Sequence, residues 1–287
     1  MSVISREVFD GEQGSPTTVA EVLTLKGLPH DRFMAEPVSV AGRRTIYGGQ
    51  VAAQALRAAA LTVPDGRIAH SLHAYFLAAG DASAPLVLSV ERDRDGGRYS
   101  GRRVTARQGD SVILSLSCSF SAPKDDAAEF QSVHIPRVQA PAELQTYQLN
   151  ASRTFDLEAR VPDDPEPWYR WPARLWLRIR EPLGDDPNVR ACGVVFLSDL
   201  CTGLSRAPQI ENVGLLPSID HAVWLHRCGD PNDWLLVDLH PLATAGARGL
   251  YTGQIYDQRG ALLANLAQES LFDVSRGGKR IPKASTK

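Results

Sequence analysis

Three polar side chains stand in apolar surroundings and have the chemistry to hold and activate a water molecule: Asp199, Ser218 and Gln268. Asp199 ends the run Val194-Val195-Phe196-Leu197-Ser198. It fits a helix N-cap, where aspartate is favoured, or a carboxylate placed to deprotonate water. Ser218 precedes Ile219-Asp220-His221 and reads as a turn residue or as a hydroxyl bonded to the same water. Gln268 follows Leu262, Ala264 and Leu266 at a spacing of two, on the core face of a strand. A lone amide there must find partners, either a backbone group or a functional site. Asp220 and His221 suggest a dyad, but adjacent strand residues point to opposite faces, which excludes a direct pair.

Other chemistries lack their residues. The sequence has no G-x-S-x-G elbow, no G-x-x-x-x-G-K-[ST] loop and no H-E-x-x-H. No His/Cys/Asp/Glu set has zinc spacing, so no metal is expected. Gly48-Gly49 is too short for a dinucleotide fingerprint, and no cofactor is expected. The four cysteines, Cys118, Cys192, Cys201 and Cys228, form no C-x-x-C. With no secretory leader, they read as reduced thiols of a cytoplasmic protein.

The elements that position these groups follow from periodicity. Val51, Ala55 and Ala59 recur every four residues beside Leu56, which predicts a helix from Gly48 to about Val63. It is mostly alanine, so a sheet can approach its axis closely. Gly48-Gly49 at its start brings backbone N–H groups close to a neighbour, either for packing alone or to face a negative oxygen. Strands are expected at His70–Leu77, around Leu86–Val90, at Arg98–Arg107 and at Ser111–Ser121, with Asp95-Gly96-Gly97 as a hairpin turn. Ser111–Ser121 alternates, with Val112, Leu114, Leu116, Cys118 and Phe120 on one face and serines on the other. Lys124 to about Glu143 reads as a linker or surface excursion, and Asp163–Pro167 as a second excursion. Further strands are expected from about Trp171, with Leu175, Leu177 and Ile179 opposite Trp176, Arg178 and Arg180, then at Ile219–His226, Trp234–His240, Gly249–Asp257 and Ala261–Phe272.

The two halves match. Gly80-Asp81 and Gly229-Asp230 each precede a strand, and Gly101 with Phe120 lies 152 residues before Gly253 with Phe272. This order argues for one α+β unit duplicated and fused, each copy a long helix wrapped by an antiparallel sheet. The expected domains are 1–135 and 136–287, the second ending in a basic tail of Arg276, Lys279, Arg280, Lys283 and Lys287. Residues 1–15 promise little order. In the repeat, Gln268 falls on the position of Leu116, so the copies have diverged in polarity.

At 287 residues with 43% hydrophobic residues the chain can bury a sizeable core. A net charge of −2 with interspersed signs leaves no nucleic-acid footprint, and no span of eighteen apolar residues suggests a membrane crossing.

Several stretches together resemble the acyl-CoA thioesterase II family: Tyr47-Gly48-Gly49-Gln50-Val51-Ala52-Ala53-Gln54-Ala55-Leu56, His70-Ser71-Leu72-His73-Ala74-Tyr75-Phe76-Leu77, Leu197-Ser198-Asp199-Leu200, Ile219-Asp220-His221-Ala222-Val223-Trp224 and Gln268-Glu269. The resemblance implies a double hotdog fold and hydrolysis of acyl-CoA to fatty acid and coenzyme A. It places the family's catalytic Asp and Gln on Asp199 and Gln268, and its Thr on Ser218, a departure that keeps a hydroxyl. The family's Arg-Pro-Gly-Asp stretch reads Ala78-Ala79-Gly80-Asp81 here, which removes a basic contact. Gly48, Gly49, Gln50 and His70 are candidates for substrate or oxyanion contacts. Medium- to long-chain acyl groups and a homodimer or homotetramer are expected. The rivals are a hotdog acyl-CoA hydratase, which needs a distinct Asp/His pair, and a non-catalytic acyl-CoA-binding protein.

Overall fold

The computed structural model describes residues 16–273 apart from 41, 125, 126, 211, 212, 214 and 215. The expectations for residues 1–15 and for the basic tail lie outside the described residues. In the first half come a short helix α1 (Val19–Val22), strands β1 (Lys26–Leu28) and β2 (Arg32–Ala35), the long helix α2 (Gly48–Ala60), and strands β3 (Ile68–Phe76), β4 (Leu86–Asp95), β5 (Tyr99–Gln108) and β6 (Ser111–Ser121). The second half repeats the series as β7 (Leu157–Arg160), β8 (Arg174–Ile179), α3 (Pro187–Ser198), β9 (Asp220–Leu225), β10 (Leu235–Ala245), β11 (Arg248–Asp257) and β12 (Leu262–Leu271).

All twelve strands form one antiparallel sheet in the order β1-β2-β4-β5-β6-β3-β9-β12-β11-β10-β8-β7. The order reads the same from both ends when each strand is exchanged for its repeat, as a two-fold axis between β3 and β9 requires. There Ser71 pairs with Trp224 and Leu72 with Val223. The two sheets join edge to edge, which removes the exposed edge each would otherwise present.

The sheet curves around α2 and α3, which pack on each other and on the strands. In α2 the residues from Gly49 to Ala59 are buried except Arg57, so small side chains line almost its whole circumference. Gln54 on the same helix donates through Nε2 to Val22 O at 2.9 Å, satisfying a terminal carbonyl of α1. In β6, Leu114, Leu116, Cys118 and Phe120 are buried against the helices as the alternation predicts.

Four features depart from the sequence expectations. The run from Ala191 includes most of a helix, α3, that carries no amphipathic stripe because it is buried nearly all round. Its start is marked by Asp186, whose side chain accepts from Asn188 N at 2.9 Å, and by Pro187 in the first turn. The linker is a packed strap rather than a free excursion: Ile135, Val138 and Leu144 cover Trp176, Leu236, Tyr256 and Leu262 on the outer face of the second sheet. Leu262 is turned there by a register shift beside Tyr256, so it does not share the core face with Gln268. The acidic excursion is anchored too. The Asp164 side chain is fully buried and bonded to Arg174 at 3.0 Å and to Arg206.

Arg174 also meets Asp238 at 2.8 Å, and His240 Nε2 reaches the same carboxylate at 3.0 Å. Burial alone would raise the Asp238 carboxyl, but His240 and Arg174 outweigh it and hold the carboxyl below its usual range. The folded value lies under the unfolded one, so this stabilisation is full above about pH 4 and is lost as pH falls through the depressed value. Asp238→Asn should therefore cost about 1.5–3 kcal/mol at pH 7, by removing one of the two carboxylates that hold the buried Arg174 guanidinium, Asp164 being the other. In urea unfolding the gap from wild type should narrow below about pH 4.

Candidate active site

The chain from α3 into β9, the last turns of β12 and the start of α2 meet at one point. Asp199 sits at the C-cap of α3, not at an N-cap. That end of a helix carries partial negative charge and disfavours a carboxylate, so the group must be stabilised from elsewhere. The opposing helix supplies it. Tyr47 at the N-cap of α2 makes no side-chain cap, and the first turn of α2 faces the Asp199 carboxylate, whose ionised form the Gly49 N–H favours. Asp199 thus lies against the start of α2 from across the molecule. In return the Tyr47 hydroxyl donates to Phe196 O at 2.7 Å, one of the terminal carbonyls of α3.

The glycines are required by this approach. A Cβ on Gly48 would lie 2.7 Å from Asp199 Oδ2 and 3.1 Å from the Phe76 ring, and one on Gly49 would strike the Tyr47 hydroxyl. The negative oxygen facing Gly49 is therefore a side chain of the protein itself.

Gln268 and Ser218 complete the cluster. Gln268 Nε2 donates to Asp199 Oδ1 at 2.8 Å and to Ser218 Oγ at 2.5 Å, and Ser218 Oγ lies 3.4 Å from Asp199 Oδ1. Gln268 is 2% exposed, whereas Asp199 and Ser218 are each intermediate in exposure as residues. Burial raises the Asp199 carboxyl above its ordinary value; His221, Gln268, Gly49 and Ser218 oppose that shift without cancelling it. A carboxylate of raised basicity, with an amide and a hydroxyl fixed beside it, can hold a water and take its proton.

The remaining candidates divide. Gln50 is fully buried on the first turn of α2. His70 is not brought to the cluster. It lines a separate cavity of about 180 Å³ with Pro187 and Ala191, at the start of α3, and bonds Ser119 Oγ at 2.8 Å. Asp199 lies at the other end of that helix, about 18 Å away. His221 was not anticipated at the cluster; its ring is fully buried and 2.7 Å from Ser198 Oγ. The signal was its place two residues before Val223 on the core face of β9. Among the described residues no group of three or more His, Cys, Asp or Glu could hold a metal, and no helix is long and apolar enough to cross a membrane.

Comparison with known proteins places this geometry in context. The sequence model of the acyl-CoA thioesterase N-terminal domain matches residues 36–121, and that of the acyl-CoA thioesterase C-terminal domain matches residues 132–272. The chain is 33% identical over 258 residues to acyl-CoA thioesterase 2 of Haemophilus influenzae, covering 82% of this chain and 90% of that one. It is 30% identical to human acyl-coenzyme A thioesterase 8, covering 92% and 93%. Among solved structures it is similar to an acyl-CoA thioesterase II of Mycobacterium marinum, with a TM-score of 0.75, 32% identity and coverage of 89% and 98%.

The raised Asp199 carboxyl has a consequence for stability. Its folded value lies above the unfolded one, so the protonated group favours folding below the unfolded value, and that benefit is lost as pH rises through the folded value. At neutral pH the ionised form is a cost. Asp199→Asn should therefore melt higher than wild type at pH 7, and the two melting temperatures should converge near pH 4, as measured by scanning calorimetry.

Proposed function

This chain belongs to the acyl-CoA thioesterase II family, and on that premise we propose that it hydrolyses medium- to long-chain acyl-CoA to free fatty acid and coenzyme A by direct attack of water. The observation that carries this reading is the Asp199 carboxylate, raised in basicity and held by Gln268 Nε2 at 2.8 Å. Asp199 acts as general base toward the water. Ser218 and Gln268 orient that water beside the thioester carbonyl, whose carbon it attacks. The tetrahedral intermediate then collapses with loss of the coenzyme A thiolate. The first-turn amides of Gly48 and Gln50, at the start of α2 that faces Asp199, are the donors proposed for the developing oxyanion.

Acyl selectivity comes from apolar burial, at about 0.8 kcal/mol per methylene, and discriminates neighbouring chain lengths only softly. We further read the protein as cytoplasmic, in keeping with four unpaired cysteines. We read it as a homodimer or homotetramer, since Tyr75 and Trp224 stand 58% and 39% exposed on the two central strands.

Purified protein incubated with a saturated acyl-CoA series should release free coenzyme A and fatty acid with a broad optimum. Product analysis showing hydroxyacyl-CoA would indicate a hydratase, and binding with no coenzyme A release a carrier. Ser218→Ala should lower kcat roughly 10-fold or more, and Ser218→Thr should retain or raise it. The acid limb of kcat/KM should lie above the ordinary carboxylate range. Gln268→Ala removes a bond that favours the ionised carboxylate, so it should move that limb to still higher pH.

A further inference from the structure

We propose that Ser198 and His221 are positioning residues that fix the Gln268 amide: Ser198 Oγ–H donates to His221 Nε2, and His221 Nδ1–H donates to Gln268 Oε1. The inference rests on the hydrolytic reading above and extends it behind the three residues that face the water.

Two orphaned atoms carry the argument. Gln268 Oε1 and His221 Nδ1 are both buried and both lack a hydrogen-bond partner among the described residues. Their strands are paired. β12 and β9 run antiparallel with Leu266 opposite Val223 and Ala267 opposite Ala222, and one further step sets Gln268 opposite His221. Beyond that point Glu269 N donates to Asp220 Oδ1 at 2.7 Å, so the strands remain in contact. Cross-strand neighbours on one face have Cβ atoms about 5 Å apart, within reach of a glutamine and an imidazole. A buried amide oxygen and a buried ring nitrogen on such neighbours are both satisfied by a single proton on Nδ1.

The chemistry of the other contacts selects the tautomer. Both Gln268 amide hydrogens are directed, one to Asp199 Oδ1 and one to Ser218 Oγ. A flipped amide would set its oxygen against the carboxylate, which is repulsive. With the amide so oriented, its oxygen demands a donor, and Nδ1–H is the donor available. The ring then offers Nε2 as an acceptor, and the Ser198 hydroxyl lies 2.7 Å from it. That hydroxyl also lies 2.8 Å from Val195 O, so its single proton is a choice between two acceptors, which the ring's tautomer settles. Burial lowers the His221 value, the neighbouring Asp199 and Gln268 oppose this, and the neutral ring remains favoured. Ser198 and His221 touch neither water nor substrate in this scheme. They act through Gln268.

A double-mutant cycle tests the relay. His221→Ala should lower kcat roughly 10–100-fold with KM held within about twofold, because the amide is freed to flip. In a Gln268→Ala background the same change should cost less than about threefold, since there is no amide left to orient. His221→Asn, whose amide nitrogen mimics Nδ1, should recover more of kcat than His221→Gln, whose amide nitrogen mimics Nε2. Equal losses from His221→Ala in both backgrounds, or better rescue by Gln, would overturn the relay and leave the three-residue site standing. Unchanged turnover in Gln268→Ala itself would remove the hydrolytic reading and the relay together. Should the alanine variant not fold, ¹⁵N-histidine spectra of the wild-type protein report the tautomer directly. A neutral His221 protonated on Nδ1 is expected, and one protonated on Nε2 contradicts the proposal.

Discussion

The arrangement of this protein turns on one carboxylate held between two helix ends. Asp199 lies at the negative end of α3 and against the positive end of α2, where the Gly49 N–H favours its ionised form. The Tyr47 hydroxyl bonds Phe196 O, so the start of α2 also satisfies a terminal carbonyl of α3. These contacts tie the end of α3 to the start of α2. They also explain residue choice over a long sequence distance. Gly48 and Gly49 leave room for a side chain about 150 residues away, and alanine at Gly48 would press on Asp199 Oδ2.

Duplication lets such a site exist once in a fused pair. The matching β-bulges fix the structural offset, Ile255 lying 149 residues after Ala106 and its partner Ala264 150 residues after Leu114, so Gln268 falls on Cys118 rather than on Leu116 as the sequence spacing suggested. At the related end of the helix pair, Asn188 rather than an acid closes the contact. It accepts from Ala69 N at 2.9 Å and donates to Arg67 O at 2.7 Å. The first copy keeps the framework, with a strong buried anchor in Arg102, which bonds Thr62 O and the Asp95 carboxylate. The second copy holds the polar cluster. His70 belongs to the first copy's end of the structure, which is why it shares a cavity with the start of α3.

Strands with one face on the core were legible in the sequence, because a period of two survives over Leu114–Phe120 of β6, whereas β8 is covered on both faces, Leu175 and Leu177 by the core and Trp176 by the outer cluster. The repeat was legible in its order of strands and turns, although the matched residues themselves are not equivalent: Gly101 pairs with Ser119, whereas Gly253 pairs with Leu266 and Phe272 lies beyond the end of β12. The helix α3 was not legible, since burial on every side erases the stripe that marks a surface helix. The linker's packing was hidden for a related reason: a few apolar residues such as Ile135 and Val138 suffice to cover a small outer cluster. At the site, Gln268 was conspicuous as an amide on a core strand, whereas Asp199 fitted either an N-cap or a carboxylate facing water, and the structure replaces the first of these with a C-cap. Local propensity offered the wrong end of the helix, and only the tertiary contact with Gly49 accounts for an acid there. His221 was set aside as a partner of Asp220 on correct strand geometry. The same geometry sends it inward, toward Gln268.

The account depends on Asp199 acting as the base at a site that keeps its shape without that charge. Asparagine preserves the volume and one acceptor while removing the basicity. Steady-state release of free coenzyme A by wild type and by Asp199→Asn, with folding verified by circular dichroism, is the most direct measurement. Turnover should fall roughly 10²–10⁴-fold while acyl-CoA still binds. Near-wild-type turnover by a folded Asp199→Asn protein would contradict the account.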